Sequence, residues 1–289
     1  MPTFPRTTVG SESVSRLVIG TNWFLGWSHA TDAKDQLIKD LVTERARIAE
    51  ILAVFFAAGV DTVMGPFPYP PLLDAVRDAE QRSGVKAVIV STPSFAVGPH
   101  VPARGFDRGD VERVLDEQQA IGVRICMPHQ STTDALIDRC TRTIRHADQL
   151  CARIRERGMV PGLASHMPEA IIYADDTSLD VETYISIFNC AGFLMPIEVD
   201  WTAQIIAQAR RPVMAIKPLA AGQVRPFQGL TFVWNAIRDV DMVTVGTMSA
   251  REAQECIELS LDILERRGSG TVRLQETRSK QSVKRVLVR

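Results

Sequence analysis

The chain of 289 residues lacks long hydrophobic runs, an excess of charge of either sign and any regular cysteine spacing. Its longest apolar run, residues 51–60, is far shorter than the ~20 residues that a membrane helix requires. Lys and Arg number 33 against 34 Asp and Glu, so the net charge of -1 gives no electrostatic reason to bind nucleic acid or an anionic membrane. We therefore expect no nucleic acid and no membrane as partners, and a small-molecule substrate instead.

The five cysteines form no CxxC pair and no metal-binding spacing, and an odd number suits a reducing compartment. They lie at Cys126, Cys140, Cys151, Cys190 and Cys256. The first residues contain no apolar segment of the signal-peptide type. The sequence thus predicts reduced thiols and a cytoplasmic protein.

Short runs rich in Val and Ile alternate with segments of helical periodicity, which is the pattern of βα units around a parallel sheet. Eight strands are predicted, over residues 15–20, 59–64, 86–91, 122–127, 159–164, 183–188, 212–216 and 242–245. The length is close to the ~250 residues typical of an eight-fold barrel. We therefore predict an α/β protein, a single (β/α)8 TIM barrel domain over 1–289, with an irregular segment 1–14 and a basic tail 268–289.

Apolar spacing of three and four residues predicts the helices between these strands. One helix would bury Ile48, Ile51, Leu52, Phe55 and Phe56, and a later one Leu136, Cys140, Ile144 and Leu150. Ser249 followed by Glu252 is a capping box that predicts the start of the last helix. Pro and Gly concentrate in residues 65–71 and 91–105, and loops of this kind beside strand ends are usually functional.

Seven segments at predicted strand ends follow one another as SRLVIGTNWFLG, AAGVDTV, MPHQ, RERGMVPGLASHMPEAI, FNCAGFLM, MAIKPLAAGQV and DMVTVGTMSAREAQECIE. In this order they resemble the aldo/keto reductases, which are NAD(P)H-dependent carbonyl reductases built on this barrel. The likeness covers roughly residues 15 to 265. It implies NADP or NAD as cofactor and a small carbonyl or sugar-like substrate.

The family's catalytic set is an Asp, a Tyr, a Lys and a His, and its Tyr protonates the carbonyl oxygen while the nicotinamide delivers hydride. The resemblance puts Asp61 at the Asp position and His129 at the His position. The Tyr position falls on Pro66, and the Lys position falls on Thr92 and Pro93. The resemblance therefore implies a reductase with altered catalytic residues.

Four further side chains are candidates for the site. Tyr69 follows the expected Tyr position by three residues and could replace the proton donor, although packing among its neighbouring prolines is the alternative. Lys217 ends the seventh strand and could contact an anion, or act as a Schiff-base nucleophile. Trp23, with Trp27, could line a substrate pocket or seal the barrel end.

Cofactor contacts are predicted mainly at the end of the eighth strand. Backbone amides there could bind a phosphate with help from Arg251, or Ser249 could merely cap its helix. The residues concerned are Gly246, Thr247, Met248 and Ser249. The resemblance adds Asn189 as a contact to the nicotinamide amide, and Lys217 as a further cofactor contact.

Two alternatives to the reductase remain open. His129 and His166 follow neighbouring strands, so with Glu198, Asp61 or Asp200 they could bind a divalent metal in a sugar isomerase, epimerase or lyase. The other alternative is a barrel that binds a ligand without catalysis. All readings share the prediction that Asp61, His129, His166, Asn189 and Lys217 line one cavity at the C-terminal face of the barrel.

Overall fold

The computed structural model describes residues 3–97 and 106–266. The strands of these residues are β1 (Arg6–Val9), β2 (Glu12–Ser15), β3 (Leu17–Gly20), β4 (Thr62–Gly65), β5 (Val88–Ser91), β6 (Ile125–Cys126), β7 (Ile137–Asp138), β8 (Thr143–Ile144), β9 (Val160–Pro161), β10 (Leu163–Ala164), β11 (Tyr184–Ile187), β12 (Val213–Ile216) and β13 (Met242–Val245). The helices are α1 (Asp32–Val42), α2 (Arg45–Ala57), α3 (Pro70–Ser83), α4 (Arg108–Ala120), α5 (Gln130–Leu136), α6 (Ala147–Glu156), α7 (Glu169–Asp176), α8 (Val199–Gln208), α9 (Pro226–Ala236) and α10 (Ala250–Leu264).

Nine parallel strands form one sheet in the order β10, β11, β12, β13, β3, β4, β5, β6, β9. The two edge strands, β9 and β10, are separated in the chain by Gly162 alone, so they are two halves of one stave and the sheet closes on itself. A Cβ on Gly162 would lie 2.8 Å from Thr183 Cγ2, which explains a glycine where the stave breaks. The predicted single-domain (β/α)8 barrel is confirmed, and each predicted strand overlaps an observed stave.

The core has two parts, one inside the barrel and one between the strands and the helices. Val18, Val90, Ile125 and Met214 fill the interior, and they are wholly buried. Helix α2 buries the five residues that its spacing predicts, and Ser249 caps α10 by accepting a hydrogen bond from Glu252 N at 3.2 Å. Both features agree with the sequence patterns.

The segment before the first stave is a β-hairpin, and the prediction of an irregular segment 1–14 is wrong for the residues that are described. β1 and β2 pair antiparallel, and Val9 and Val14 are buried against the interior residues of the barrel. The alternation of these valines with polar residues is a strand pattern, which closes the N-terminal end of the barrel.

The single helix predicted through residues 136–150 is also wrong. The chain instead forms α5, the short antiparallel pair of β7 and β8, and α6. The Asp138 side chain accepts hydrogen bonds from Cys140 N and Thr141 N, and Arg142 has a φ of +55°. Side-chain bonds of this kind compete with the helix, and they turn the chain at this point.

Residues 98–105 of the predicted functional loop and the predicted tail 268–289 lie outside the described residues. Within the described ranges, none of the helices has the length and apolar character needed to cross a membrane.

Candidate functional site

A cavity of about 360 Å³ opens at the C-terminal ends of the barrel strands. It is lined by strand ends such as Gly20, Gly65 and Val245, and by residues of the loops that follow them. This is the end at which (β/α)8 barrels carry their active sites. The volume suits a small molecule.

Four basic side chains reach this cavity from four different loops. His29 follows β3, His129 follows β6, His166 follows β10 and Lys217 follows β12. The described lining residues include neither Asp nor Glu. The site is therefore basic, and it offers several hydrogen-bond donors.

Lys217 has a strained backbone conformation, which among the four basic residues it shares with His29. It has a φ of +61° directly before Pro218, a left-handed conformation that a non-glycine residue rarely adopts. Backbone strain of this kind costs on the order of 1–3 kcal/mol and is concentrated at functional sites. Burial lowers the pKa of Lys217 to about 8, and no described residue pairs with its ammonium group. At neutral pH Lys217 is a cation that loses its proton more easily than an exposed lysine.

His129 is held as a neutral hydrogen-bond donor. Ser131 N donates to His129 Nδ1 at 3.3 Å, and Ser131 Oγ lies 2.8 Å from the same nitrogen. An accepting Nδ1 places the proton of the neutral ring on Nε2. Burial lowers the pKa of His129, so this neutral form prevails at pH 7.

His166 and His29 are also neutral at pH 7. Burial, followed by the charge of Lys217, lowers the pKa of His166 to about 4. The same two causes, in the same order, lower the pKa of His29, while Asp35 partly opposes them. The Asn22 amide nitrogen lies 2.8 Å from His29 Nε2 and donates to it, which puts the ring proton on Nδ1. Of the four basic groups, Lys217 alone carries the charge.

The assignment of Asp61 as the catalytic Asp is wrong. Stave β4 begins at Thr62, so Asp61 precedes it at the N-terminal end, where its carboxylate binds Arg6 Nη1 at 2.9 Å. The cavity begins three residues later at Met64, roughly 10 Å along a strand of ~3.3 Å rise per residue. The predicted strand lies too early in the sequence, and this shifts Asp61 toward the wrong end.

Two other predicted site residues do not line the cavity. Tyr69 precedes α3 and is 43% exposed. Asn189 is fully buried, but its amide bonds within its own loop, to Ala191 N, Phe193 N and Phe193 O. Asn189 therefore shapes the loop, and it does not line the cavity where a nicotinamide would bind.

The positions of the missing Tyr and Lys are nevertheless at the cavity. Pro66 and Thr92 both line it, and neither can replace the acid. Trp23 and Trp27 line it as well, in agreement with the pocket interpretation. Of the five residues expected to share the cavity, His129, His166 and Lys217 do so. His29 lines the cavity but was not among the predicted site residues. Its position in a strand-end loop, beside Trp27 and Ser28, could have indicated it.

The loop after β13 fits a cofactor phosphate poorly. Met248 N donates to Glu252 Oε2 at 2.7 Å, so this amide already has a hydrogen-bond partner. The Glu252 carboxylate would also repel a phosphate. Gly246 lines the cavity, but a Cβ there would lie 3.4 Å from the Trp23 ring. Ser249 caps its helix and Arg251 is exposed.

One observation at the same strand favours a ligand. The buried hydroxyl of Thr244, which lines the cavity, has no hydrogen-bond partner among the described residues. The hydroxyl of Thr247 has none either, but Thr247 follows the strand and does not line the cavity. We call the cavity at the C-terminal strand ends the mouth cavity. The residues present there fit the nicotinamide ring of a cofactor better than they fit a phosphate at the Met248 amide.

The metal site that His129, His166 and Glu198 would form in the isomerase alternative is not assembled among the described residues. Across residues 3–97 and 106–266, no three His, Cys, Asp or Glu side chains are grouped so as to hold a metal ion. Glu198 and Asp200 are exposed at the start of α8 and do not line the cavity.

No family model and no curated protein matches the chain. Among solved structures, a protein of Pseudomonas aeruginosa described as an aldo-keto reductase aligns with a TM-score of 0.64 at 16% identity over 91% of this chain and 97% of its own. An aldo-keto reductase of the silkworm Bombyx mori gives 0.58 at 14% identity over 94% and 91%. An aldo/keto reductase of Brucella melitensis gives 0.56 at 11% identity over 94% and 96%. The chain therefore has the barrel fold of the aldo-keto reductases.

Proposed function

We propose that this chain is a cytoplasmic, NAD(P)H-dependent oxidoreductase that reduces a small carbonyl compound in the mouth cavity. One observation carries the proposal: Lys217, a partly buried cation whose pKa is lowered to about 8, reaches the cavity of a barrel with the aldo-keto reductase fold. It can supply the proton that the missing Tyr would otherwise give.

Lys217 and His129 would both act on the carbonyl oxygen of the substrate. The His129 Nε2–H would donate a hydrogen bond to this oxygen and stabilise the negative charge that develops there. The Lys217 ammonium would then transfer a proton to the oxygen, which completes the alcohol. Trp23 and Trp27 would hold the apolar part of the substrate and exclude water.

Bound NADPH or NADH would supply the hydride. The lining of the mouth by Trp23, Thr244 and Gly246 supports a ring-sized ligand on the β13 side of the cavity. The Glu252 carboxylate on Met248 N directs the phosphates away from that amide.

The test is NADPH and NADH oxidation with a panel of small aldehydes and ketones. A Lys217→Met variant should lose about 10² to 10⁴ in kcat, because a positioned acid contributes this much. Lys86→Met is the matched control, since Lys86 is exposed and pairs with Glu80 away from the cavity. Full activity in Lys217→Met, or no oxidation by the wild-type protein on any substrate, would contradict the proposal.

Binding separates a reductase from a barrel that only holds a ligand. Because Trp23 and Trp27 line the cavity, NADPH should quench tryptophan fluorescence. Quenching without turnover would favour the non-catalytic barrel, and no quenching would remove the cofactor.

A second function, Schiff-base chemistry, is favoured by the same lysine. A buried amine with a lowered pKa and no carboxylate partner is a competent nucleophile. Its nitrogen would add to a carbonyl carbon, and loss of water would form the imine. Borohydride treatment in the presence of the carbonyl compound should then fix the adduct on Lys217, detectable by peptide mass; an unmodified peptide would exclude this route.

A further inference from the structure

The basic character of the mouth cavity indicates the charge of its ligand. His29, His129, His166 and Lys217 approach from four sides, and the described lining residues supply no carboxylate to balance them. A ligand with a negative group would be the natural complement of such a surface.

Two of these groups stand out because the described residues provide no partner for them. Among the described residues nothing forms a hydrogen bond or ion pair with the His166 ring or the Lys217 ammonium. Both side chains are partly buried and line the cavity. Their hydrogen-bonding atoms are therefore available to a ligand that enters it.

We propose that the cavity binds a small carbonyl compound carrying one carboxylate, such as a 2-oxo acid, that His29 and His166 hold the carboxylate, and that the charge of Lys217 attracts it. The carbonyl part of this assignment rests on the proposed function, whereas the carboxylate subsite rests on the cavity itself. With Lys217 as the one charged member at neutral pH, a monoanion matches the site better than a phosphate dianion. His129 remains free to bind the carbonyl oxygen.

Binding of the carboxylate is coupled to protonation. His166 faces Lys217, His29 and His129, and His29 faces Lys217, His129 and Asp35. A bound carboxylate adds negative charge beside these rings and raises the pKa of each, so anion binding takes up protons. Affinity should therefore rise as the pH falls from about 7 toward 4, the pKa of the His166 ring in the free protein.

The test compares pyruvate with pyruvamide, which has the same size and no charge. Quenching of tryptophan fluorescence is measured for the wild-type protein, alone and with NADP⁺ present. Pyruvate should bind and pyruvamide should bind at least about tenfold more weakly, as expected for loss of a charge-assisted contact.

Variants assign the subsite to its residues. His166→Asn and His29→Asn should each weaken pyruvate binding about tenfold and reduce its pH dependence. His146→Asn is the control, because His146 has a φ of +58° like His29 at +59° but does not line the cavity.

Equal binding of pyruvate and pyruvamide, no pyruvate binding in either arm, or tighter binding of inorganic phosphate would overturn the carboxylate subsite. Pyruvate binding that is unchanged in both cavity variants would overturn it too. No reductase activity enters this experiment, so its failure is distinct from failure of the proposed function, which the Lys217→Met assay decides.

Discussion

Lys217 combines a chemical role with a cost in stability. The pKa of Lys217 is about 8 in the folded protein and close to 10.5 in the unfolded chain, so the unfolded state binds the proton more tightly. The buried ammonium group therefore lowers the free energy of unfolding by its full amount below pH 8. This cost disappears as the pH rises toward 10.5. Lys217→Met should raise the free energy of unfolding by about 2 to 3 kcal/mol at pH 7.

Urea unfolding of both proteins at pH 7 and pH 10 measures this effect. The advantage of Lys217→Met should shrink at the higher pH, whereas Lys86→Met should give no such change. A less stable Lys217→Met protein at pH 7 would mean that the lysine has a partner that stabilises it.

The pH dependence of catalysis is a second consequence of the same residue. A proton donor acts in its protonated form. With an uncharged carbonyl substrate, kcat/KM should therefore be constant below about pH 8 and should fall tenfold per unit above it, following the pKa of Lys217 in the free enzyme. The profile should lose this step in Lys217→Met. A kcat/KM that rises above pH 8 would instead favour the neutral amine and the Schiff-base route.

At the residue scale, the order of segments in the sequence predicted which side chains lie at strand ends. It was less successful in predicting what those side chains do. His129, His166 and Lys217 were found because they directly follow apolar runs. Asp61 was misplaced because the strand begins at Thr62, three residues later than predicted. Asp61 therefore lies at the N-terminal end of the barrel. Asn189 was misread because its hydrogen bonds lie within its own loop, which no pattern of residue types reveals.

At the scale of elements, the close approach of β3 and β4 at the mouth depends on a glycine. A Cβ on Gly65 would lie 1.9 Å from Thr21 Oγ1, and that hydroxyl donates to Met64 O at 3.1 Å. Gly65→Ala should destabilise the barrel by about 1–3 kcal/mol, because the two strand ends must separate.

A double-mutant cycle with Thr21→Ala tests the cause. The alanine at position 21 removes the hydroxyl that clashes, so the cost of Gly65→Ala should be smaller in that background than in the wild-type protein. Additive effects on the unfolding midpoint would show that the two positions do not interact.

The eight staves were predictable because Val- and Ile-rich runs buried on both faces have a clear signature. The split of the fifth stave at Gly162, and the break of the helix near Asp138, were not. Both depend on local contacts, a neighbouring Thr183 in one case and side-chain hydrogen bonds in the other. A periodic pattern records which face is buried, but it does not record such contacts.

For the whole molecule, the two ends of the barrel divide stability from function. The hairpin of β1 and β2 closes the N-terminal end, where Arg6 and Asp61 pair their charges. At the other end the basic groups face one another without carboxylates among the described lining residues. The mouth is thus the electrostatically costly part of the fold, and a bound anion would stabilise it.

This cost predicts how the whole molecule responds to acid. The pKa of His166 is lowered to about 4 in the folded protein against about 6.5 when unfolded, so only the unfolded chain gains the proton between these values. The stabilising contribution of the neutral ring is complete above pH 6.5 and is lost as the pH falls to 4. His166→Asn removes it, and the loss of wild-type stability over this interval should exceed that of the variant by up to about 2 kcal/mol after allowance for solvent screening. Urea unfolding of both proteins from pH 7 to pH 4 measures this difference, in which the shared titration of surface carboxylates cancels.

Pyruvate at saturating concentration should recover part of the lost wild-type stability, because the protonated ring then has a carboxylate partner. A difference between the two proteins that stays constant with pH would show that His166 titrates normally, and that the mouth is more open to water than its burial implies.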